Sequence, residues 1–232
     1  MSKLPLQDRR DVRTPMLGQR GQLRALPTDP GFAEHPAHGL EAQRTYVQRV
    51  MPYVKNRRLA IDAGAHIGLW SKLLVDAGFK YVHAFEPVPD TYRALEENAV
   101  RKRVIPHAVA LGAVAGHCRM AAPADGNSGM RYVIGHGTPN ASQWPVAQMR
   151  TIDSYGFFDV DLIKIDVEGF EGEVIAGAGD TIERWSPTIV FEDNGVGEKY
   201  YGASWKDPKL LLEKLGYAKK LRYRKDEVWT RA

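Results

Sequence analysis

Short runs of apolar residues alternate along the chain with stretches whose apolar positions recur every three to four residues, which predicts strands interleaved with helices. Leu40, Tyr46, Val47 and Val50 share one side of a helix over residues 38–50, ended by Pro52. Residues 58–62 read as the first strand, and Leu69, Trp70, Leu73, Leu74 and Ala77 keep helical spacing up to Gly78. A second strand follows over 81–87, then a helix over 89–100 with Tyr92, Leu95 and Ala99 inward, then a third strand over 104–112. Residues 113–148 carry no helical pattern. Gly, Pro, Asn and Asp cut them into strand-like pieces near 118–120 and 130–134, which predicts an inserted β-hairpin with its turn at 125–129. The near-continuous apolar run from residue 161 predicts a strand buried on both faces, leaving through 166–169. A helix over 170–178, a strand over 187–193, a helix over 207–215 and a hairpin around Lys225-Asp226 complete the chain. The pattern is α/β and Rossmann-like: a mostly parallel seven-stranded sheet, helices on both faces, an antiparallel C-terminal hairpin and one inserted β-hairpin after strand three. Residues 1–36, rich in Arg, Pro, Gln and Gly, read as an arm or lid with the composition of a partly disordered segment, and 37–232 as a single domain.

Composition narrows this picture only a little. A chain of 232 residues, 44% of them hydrophobic, can bury a full core without staples. No apolar run approaches the length that spans a bilayer, and the first residues lack the apolar core of a signal peptide. The single cysteine, Cys118, cannot form an internal disulfide. Together these predict a cytoplasmic protein with no membrane contact. Asn140-Ala141-Ser142 matches a glycosylation acceptor and His35-x-x-His38 a metal-ligand spacing, and both are read as chance. The net charge of +4 gathers at 55–58, 101–103 and 219–225, beside predicted elements, where surface charge is expected. A nucleic-acid partner stays open on charge but is not favoured. Oligomeric state is not legible.

The candidate chemistry starts at Asp62-x-Gly64-x-x-x-Gly68, where the first strand meets a glycine turn and a helix. A dinucleotide fingerprint would have a glycine where Asp62 stands. A carboxylate there repels a diphosphate and suits an amine or a sulfonium, and S-adenosylmethionine carries both. Glu86 ends the second strand, one strand-helix-strand unit further on, where a carboxylate can accept from both ribose hydroxyls. Lys164 interrupts the fourth strand two residues before Asp166, on the same face, and a buried lysine needs a carboxylate partner.

With Asp62-x-Gly64, Glu86, Ala110-Leu111-Gly112 and Lys164-Ile165-Asp166-Val167-Glu168-Gly169-x-Glu171 assembled, the chain resembles the FkbM family of S-adenosylmethionine-dependent methyltransferases. The resemblance spans about Leu59 to Phe191, and its most specific part is Lys164 to Glu171. It implies a class I methyltransferase fold and S-adenosylmethionine as cofactor, with S-adenosylhomocysteine as product. It further implies that Gly64, Ala65, His66, Ile67 and Gly68 hold the methionine part, Glu86 with Pro87 the ribose, and Ala110 the adenine edge. Where the family often has asparagine this chain has His66, which alters a polar contact there. Methyl transfer to an oxygen, commonly a hydroxyl on a sugar or other small natural product, is the implied reaction.

Asp166, at the end of strand four beside the cofactor strand, is the leading candidate to orient or deprotonate the hydroxyl, and it also belongs to the cofactor contacts. Glu168 and Glu192 follow it as candidate catalytic residues. Asp166, Glu168, Glu192 and Asp193 are also the oxygen donors a hard cation such as Mg²⁺ takes, but the resemblance does not require one and no metal is assigned. An RNA ribose 2′-O-methyltransferase and a non-catalytic binder of the cofactor remain as alternatives. Against the first, no lysine closely follows Asp166. Against the second, Asp62, Gly64, Gly68 and Glu86 are all present.

Overall fold

The computed structural model describes residues 36–122, 128–134, 141–202 and 205–231. Residues 1–35 of the predicted arm, the sequon asparagine and the first part of the 125–129 turn lie outside the described residues, and Pro36, placed at the arm's end, instead opens the first helix. The strands are β1 (Leu59–Ala63), β2 (Tyr81–Phe85), β3 (Val104–His107), β4 (Ala110–Leu111), β5 (Gly116–Ala121) and β6 (Tyr132–Val133). They continue with β7 (Val146–Arg150), β8 (Val160–Ile165), β9 (Thr188–Glu192), β10 (Tyr217–Tyr223) and β11 (Asp226–Arg231). The helices are α1 (Pro36–Val50), α2 (Leu69–Asp76), α3 (Pro89–Asn98), α4 (Glu171–Ala176), α5 (Gly179–Trp185), α6 (Gly197–Tyr201) and α7 (Pro208–Lys214).

Seven strands form one sheet in the order β10-β11-β9-β8-β1-β2-β3, in which β11 alone runs against the rest. The chain moves outward from β1 through β2 to β3, then returns to β8 on the other side of β1. At such a reversal the connections diverge and leave a crevice beyond the carboxyl ends of the strands.

Successive side chains of a strand face opposite ways, and the two cores follow that period. Ala60, Val82, Leu162 and Val190 face one layer with Val47, Val50, Leu73 and Leu74 of α1 and α2. Ile61, Ile163, Ile189 and Trp229 face the other, with Val174, Ile175, Ile182 and Leu212. Asp62 lies two residues beyond Ala60 and Lys164 two beyond Leu162, so both point into the α1/α2 layer. They are register partners on adjacent strands.

Three expectations need correction. The third predicted strand, 104–112, is two strands. β3 stays at the edge of the large sheet, where Pro106 is tolerated because an edge needs no second ladder. The chain then bends, and Ala110–Leu111 joins a second sheet of order β4-β7-β5-β6. The predicted inserted hairpin is therefore a four-stranded sheet with its own small core of Met120, Val133, Ala147 and Met149. The helix expected over 170–178 is α4 followed by an unexpected α5. Asp153 starts α5 from 27 residues upstream by accepting from the Asp180 and Thr181 amides, which no local pattern could announce. No helix among the described residues is long and apolar enough to cross a membrane.

Candidate functional site

The crevice at the strand ends is an open cleft of about 580 Å³, counting space continuous with solvent. Its floor is Gly64, His66, Phe85, Glu86 and Pro87, and one wall is Val109, Ala110 and Leu111. Asp166, Val167, Glu168 and Phe170 line the exit of β8, and the insert covers the space with Met120, Ser128, Gly129, Arg131 and Val133.

The glycine turn is built by sterics. Gly64 has φ +77°, and a Cβ there would lie 1.8 Å from the Asp166 carbonyl oxygen. The first strand and the exit of the eighth can touch only through a residue without a side chain. His66 also takes a left-handed conformation, φ 51°, a region that asparagine and histidine enter more readily than most residues. Its amide donates to Glu86 Oε2 at 3.0 Å, and its Nε2 lies 2.9 Å from Ser128 Oγ, which ties the turn to the insert. Ala65, Ile67 and Gly68 do not line the cleft. They shape the turn from behind, Ala65 donating to the Phe85 carbonyl and Gly68 leaving room for Leu95.

Asp62 is likewise displaced from its predicted place. It is fully buried and does not line the cleft. Its Oδ2 accepts from Ser71 Oγ at 2.6 Å, and its Oδ1 lies 3.4 Å from Lys164 Nζ. Lys164 reaches on to Asp166 Oδ2 at 3.3 Å and donates to the Gly64 carbonyl, also at 3.3 Å. Burial works against the lysine's charge, but the Asp166 and Asp62 carboxylates more than offset it, so it stays protonated. Lys164 therefore anchors three chain segments. The structural ion pair expected for it is observed.

Glu86 sits at the predicted strand end, facing the cleft. Its Oε1 accepts from the Val88 amide at 2.9 Å and Thr91 Oγ1 at 2.7 Å, while Oε2 accepts, among the described residues, only from His66. Burial raises its pKa, opposed by these hydrogen bonds and by the charge of Arg131. Glu86 lines the cleft, and Oε2, with one donor among the described residues, can accept a further hydrogen bond from a ligand hydroxyl.

Beyond β8 and β9 the acids converge. Asp166, Glu168 and Glu192 place carboxylate oxygens within 4.8 Å of one another, close enough to share one small hard cation or one proton. The Asn194 side-chain Nδ2 donates to Glu168 Oε2 and Glu192 Oε2, both at 3.0 Å. Burial and the neighbouring charges of Asp166, Glu192 and Glu171 push Glu168 up to about 8. Burial and Asp166 raise Glu192 as well, although it does not itself line the cleft. Asp193 stands apart, paired with Lys209 at 3.0 Å and Arg222 at 3.2 Å. Glu171 closes the turn into α4 by accepting from the Gly169 and Val167 amides. Its role is structural.

The cleft suits the adenosyl cofactor by the chemistry of its donors. Val88, Ala110, Leu111, Met120 and Val133 make an apolar slot for a base, Glu86 offers an acceptor for a ribose, and Asp166 and Glu168 bring negative charge to a cationic sulfur and amine. Arg131, Ser128, Met120 and Val133 escape a reading of the sequence because the insert has no periodicity to place them. Val88 is within its reach, as the residue after Glu86-Pro87 and before a helix opened by Pro89.

A family model described as the methyltransferase FkbM domain matches residues 62–219. The structure resembles that of an FkbM methyltransferase from Methylobacillus flagellatus KT at 16% identity and TM-score 0.52, covering 86% of this chain and 60% of that one. The chain thus spans about three fifths of that protein's length. It also resembles a precorrin-6y C5,15-methyltransferase from Geobacter metallireducens GS-15, at 14% identity, TM-score 0.44 and coverage of 82% and 87%. A magnesium protoporphyrin IX methyltransferase from Synechocystis PCC 6803, whose structure holds S-adenosylmethionine, matches at 13% identity, TM-score 0.45 and coverage of 84% and 80%. At these identities the likeness is one of fold. No curated protein sequence matches the chain. The family match runs from the acid of the first strand through the glycine turn, the insert and both acid-bearing strand ends, and on that extent the chain belongs to the FkbM family of S-adenosylmethionine-dependent methyltransferases.

Proposed function

We propose that the protein is an O-methyltransferase acting on a hydroxyl of a sugar or another small, natural-product-like acceptor, with Glu168 as the base. The observation that carries this reading is the group of three carboxylates beyond β8 and β9, two of which, Asp166 and Glu168, line the cleft, with Glu168 pushed up to about 8. The cofactor supplies a methyl carbon on a positively charged sulfur, an electrophile with its leaving group already activated. What remains for the chain is to hold an oxygen in line and to accept its proton. Positioning can contribute ~7–11 kcal/mol in favourable cases, and a base adds about 10²–10⁴-fold.

Asp166, fixed through Lys164, takes the orienting role, because a carboxylate held at 3.3 Å by an ammonium has little freedom to move. Glu168 has no ion-pair partner among the described residues and a proton affinity near the operating pH, which suits a group that must take a proton and release it. Glu192 acts through the shared Asn194 amide and through its charge, which helps to raise Glu168. The acids of this group, where they are ionised, also disfavour a phosphate backbone, so a small neutral acceptor is favoured over RNA.

The test is release of S-adenosylhomocysteine with a panel of glycosides and polyols, set against matched amines and a structured RNA. Turnover with hydroxyl acceptors, lost at least ~100-fold in Glu168→Gln with cofactor affinity kept, is the expected result. Turnover confined to amines or to RNA overturns the reading.

A further inference from the structure

Arg131 is the one Lys or Arg side chain that lines the cleft among the described residues, against the acids Glu86, Asp166 and Glu168. Its Nε is sealed from solvent and has no hydrogen-bond partner. Among the described residues Arg131 also forms no ion pair, and Glu86 feels its charge only at a distance. A guanidinium brought into a cleft with a buried, unsatisfied N–H implies a missing acceptor, and its planar fork matches a carboxylate or phosphate.

The cofactor carries one anion, the carboxylate of its amino-acid half, and the glycine turn has little left to offer it. Gly64 N and Ala65 N both donate to the Phe85 carbonyl, and Gly68 N donates to the Ala65 carbonyl. The His66 amide is taken by Glu86. Four of the five amides from Gly64 to Gly68 are thus engaged inside the protein. Among the described residues that line the cleft, Asp166 and Glu168 at the β8 exit are acids on offer to a zwitterion's cationic groups, and Arg131 of the insert is the one Lys or Arg on offer to its anionic end.

We propose that Arg131, carried into the cleft by the insert, is the partner of the cofactor's carboxylate, so that the second sheet completes the donor site rather than merely covering it. The inference rests on the methyl-donor reading of the cleft. Ser128, bonded to His66 on the turn, fixes the segment that presents Arg131.

The experiment is calorimetry of the full chain, wild type, Arg131→Gln and Arg131→Lys, with S-adenosylmethionine and with its decarboxylated form. Wild type is expected to prefer the carboxylated form. Arg131→Gln should lose about ten- to a hundredfold in affinity for it, bind the decarboxylated form as wild type does, and so lose the preference. Arg131→Lys should recover part of it. Unchanged binding of the decarboxylated form also shows that the variant is folded. Equal losses for both forms, or a preference that survives in Arg131→Gln, overturn the proposal and leave the donor site standing, the second outcome assigning the carboxylate to the first amides of α2. Unchanged affinity for both forms assigns Arg131 to something other than the donor and overturns it too. Wild type that binds neither form removes the donor reading itself.

Discussion

Gly64 matters for what it lacks. A methyl group there meets the Asp166 carbonyl oxygen at 1.8 Å, and the backbone already stands at φ +77°. Gly64→Ala is expected to cost about 3 kcal/mol or more in chemical denaturation, because neither strand end can retreat without breaking the sheet. Gly179→Ala supplies the contrast. Nothing lies within 4 Å of the place its methyl group would take, and it opens α5, so it should be neutral or stabilise by up to ~1 kcal/mol. Glu168 gives the second residue-scale prediction. With its carboxyl held up to about 8, kcat/KM for the methyl donor should rise with pH to a plateau above that value, and the rise should vanish in Glu168→Gln. A profile of the same shape in the variant would take Glu168 out of the reaction. Much of this is legible in the sequence, since strand-end acids and a glycine turn are local patterns. The place of Asp62 is not, because its position two beyond Ala60 puts it in the α1/α2 layer, and Lys164, 102 residues away, then claims its carboxylate. Nor does the sequence convey which of Asp166 and Glu168 is tied to a cation, since that depends on register between strands distant in sequence.

At the scale of elements, β1 and β8 are joined by their ladder and by the Asp62–Lys164 pair, both side chains almost wholly buried. Removing one partner strands the other's charge in the core. Lys164→Met should therefore destabilise by about 3–5 kcal/mol, whereas Lys164→Met with Asp62→Leu should recover most of that loss. Urea melts of the four species give the coupling, and additive losses would show that the pair holds nothing. The second sheet is the element that sequence conveys least. Its pairs are Met120 with Val133 and Cys118 with Ala147, partners brought together across segments rich in turn residues. An alternating pattern announces that a strand exists and says nothing of which strand it joins. By contrast α7 is fully readable, since Asp207 accepts from the Lys209 amide and Pro208 opens the first turn.

Across the whole molecule the charge is sorted. Arg57, Arg58, Lys102 and Arg103 stand where the chain enters β1 and β3, and the acids Glu86, Asp166, Glu168 and Glu192 gather where it leaves β2, β8 and β9, so a chain of net charge +4 presents an acidic mouth. Burial and then the neighbouring acids raise Glu168 to about 8, and burial chiefly raises Glu171 and Asp226 to about 7. An acid whose folded value exceeds its unfolded value of about 4 holds its proton more tightly in the folded chain, so the folded state gains as pH falls through the folded value. Between pH 8.5 and 6.5 the cofactor-free protein should become more stable as the solution becomes more acidic, with a melting temperature higher at 6.5 by ~2 °C or more. His83 and His107 act the other way, because burial lowers both and His107 helps to lower His83, to about 4; their loss sets in as the unfolded imidazoles protonate near 6.5 and grows towards 4, so it only trims the gain at the lower edge of the window. Glu168→Gln should shrink the difference, and so should saturating S-adenosylmethionine, whose cationic sulfur and amine favour the ionised acids. A melting temperature that is flat or climbs from pH 6.5 to 8.5 would mean that the acids are not crowded as described, and the base assigned to this mouth would lose its physical footing.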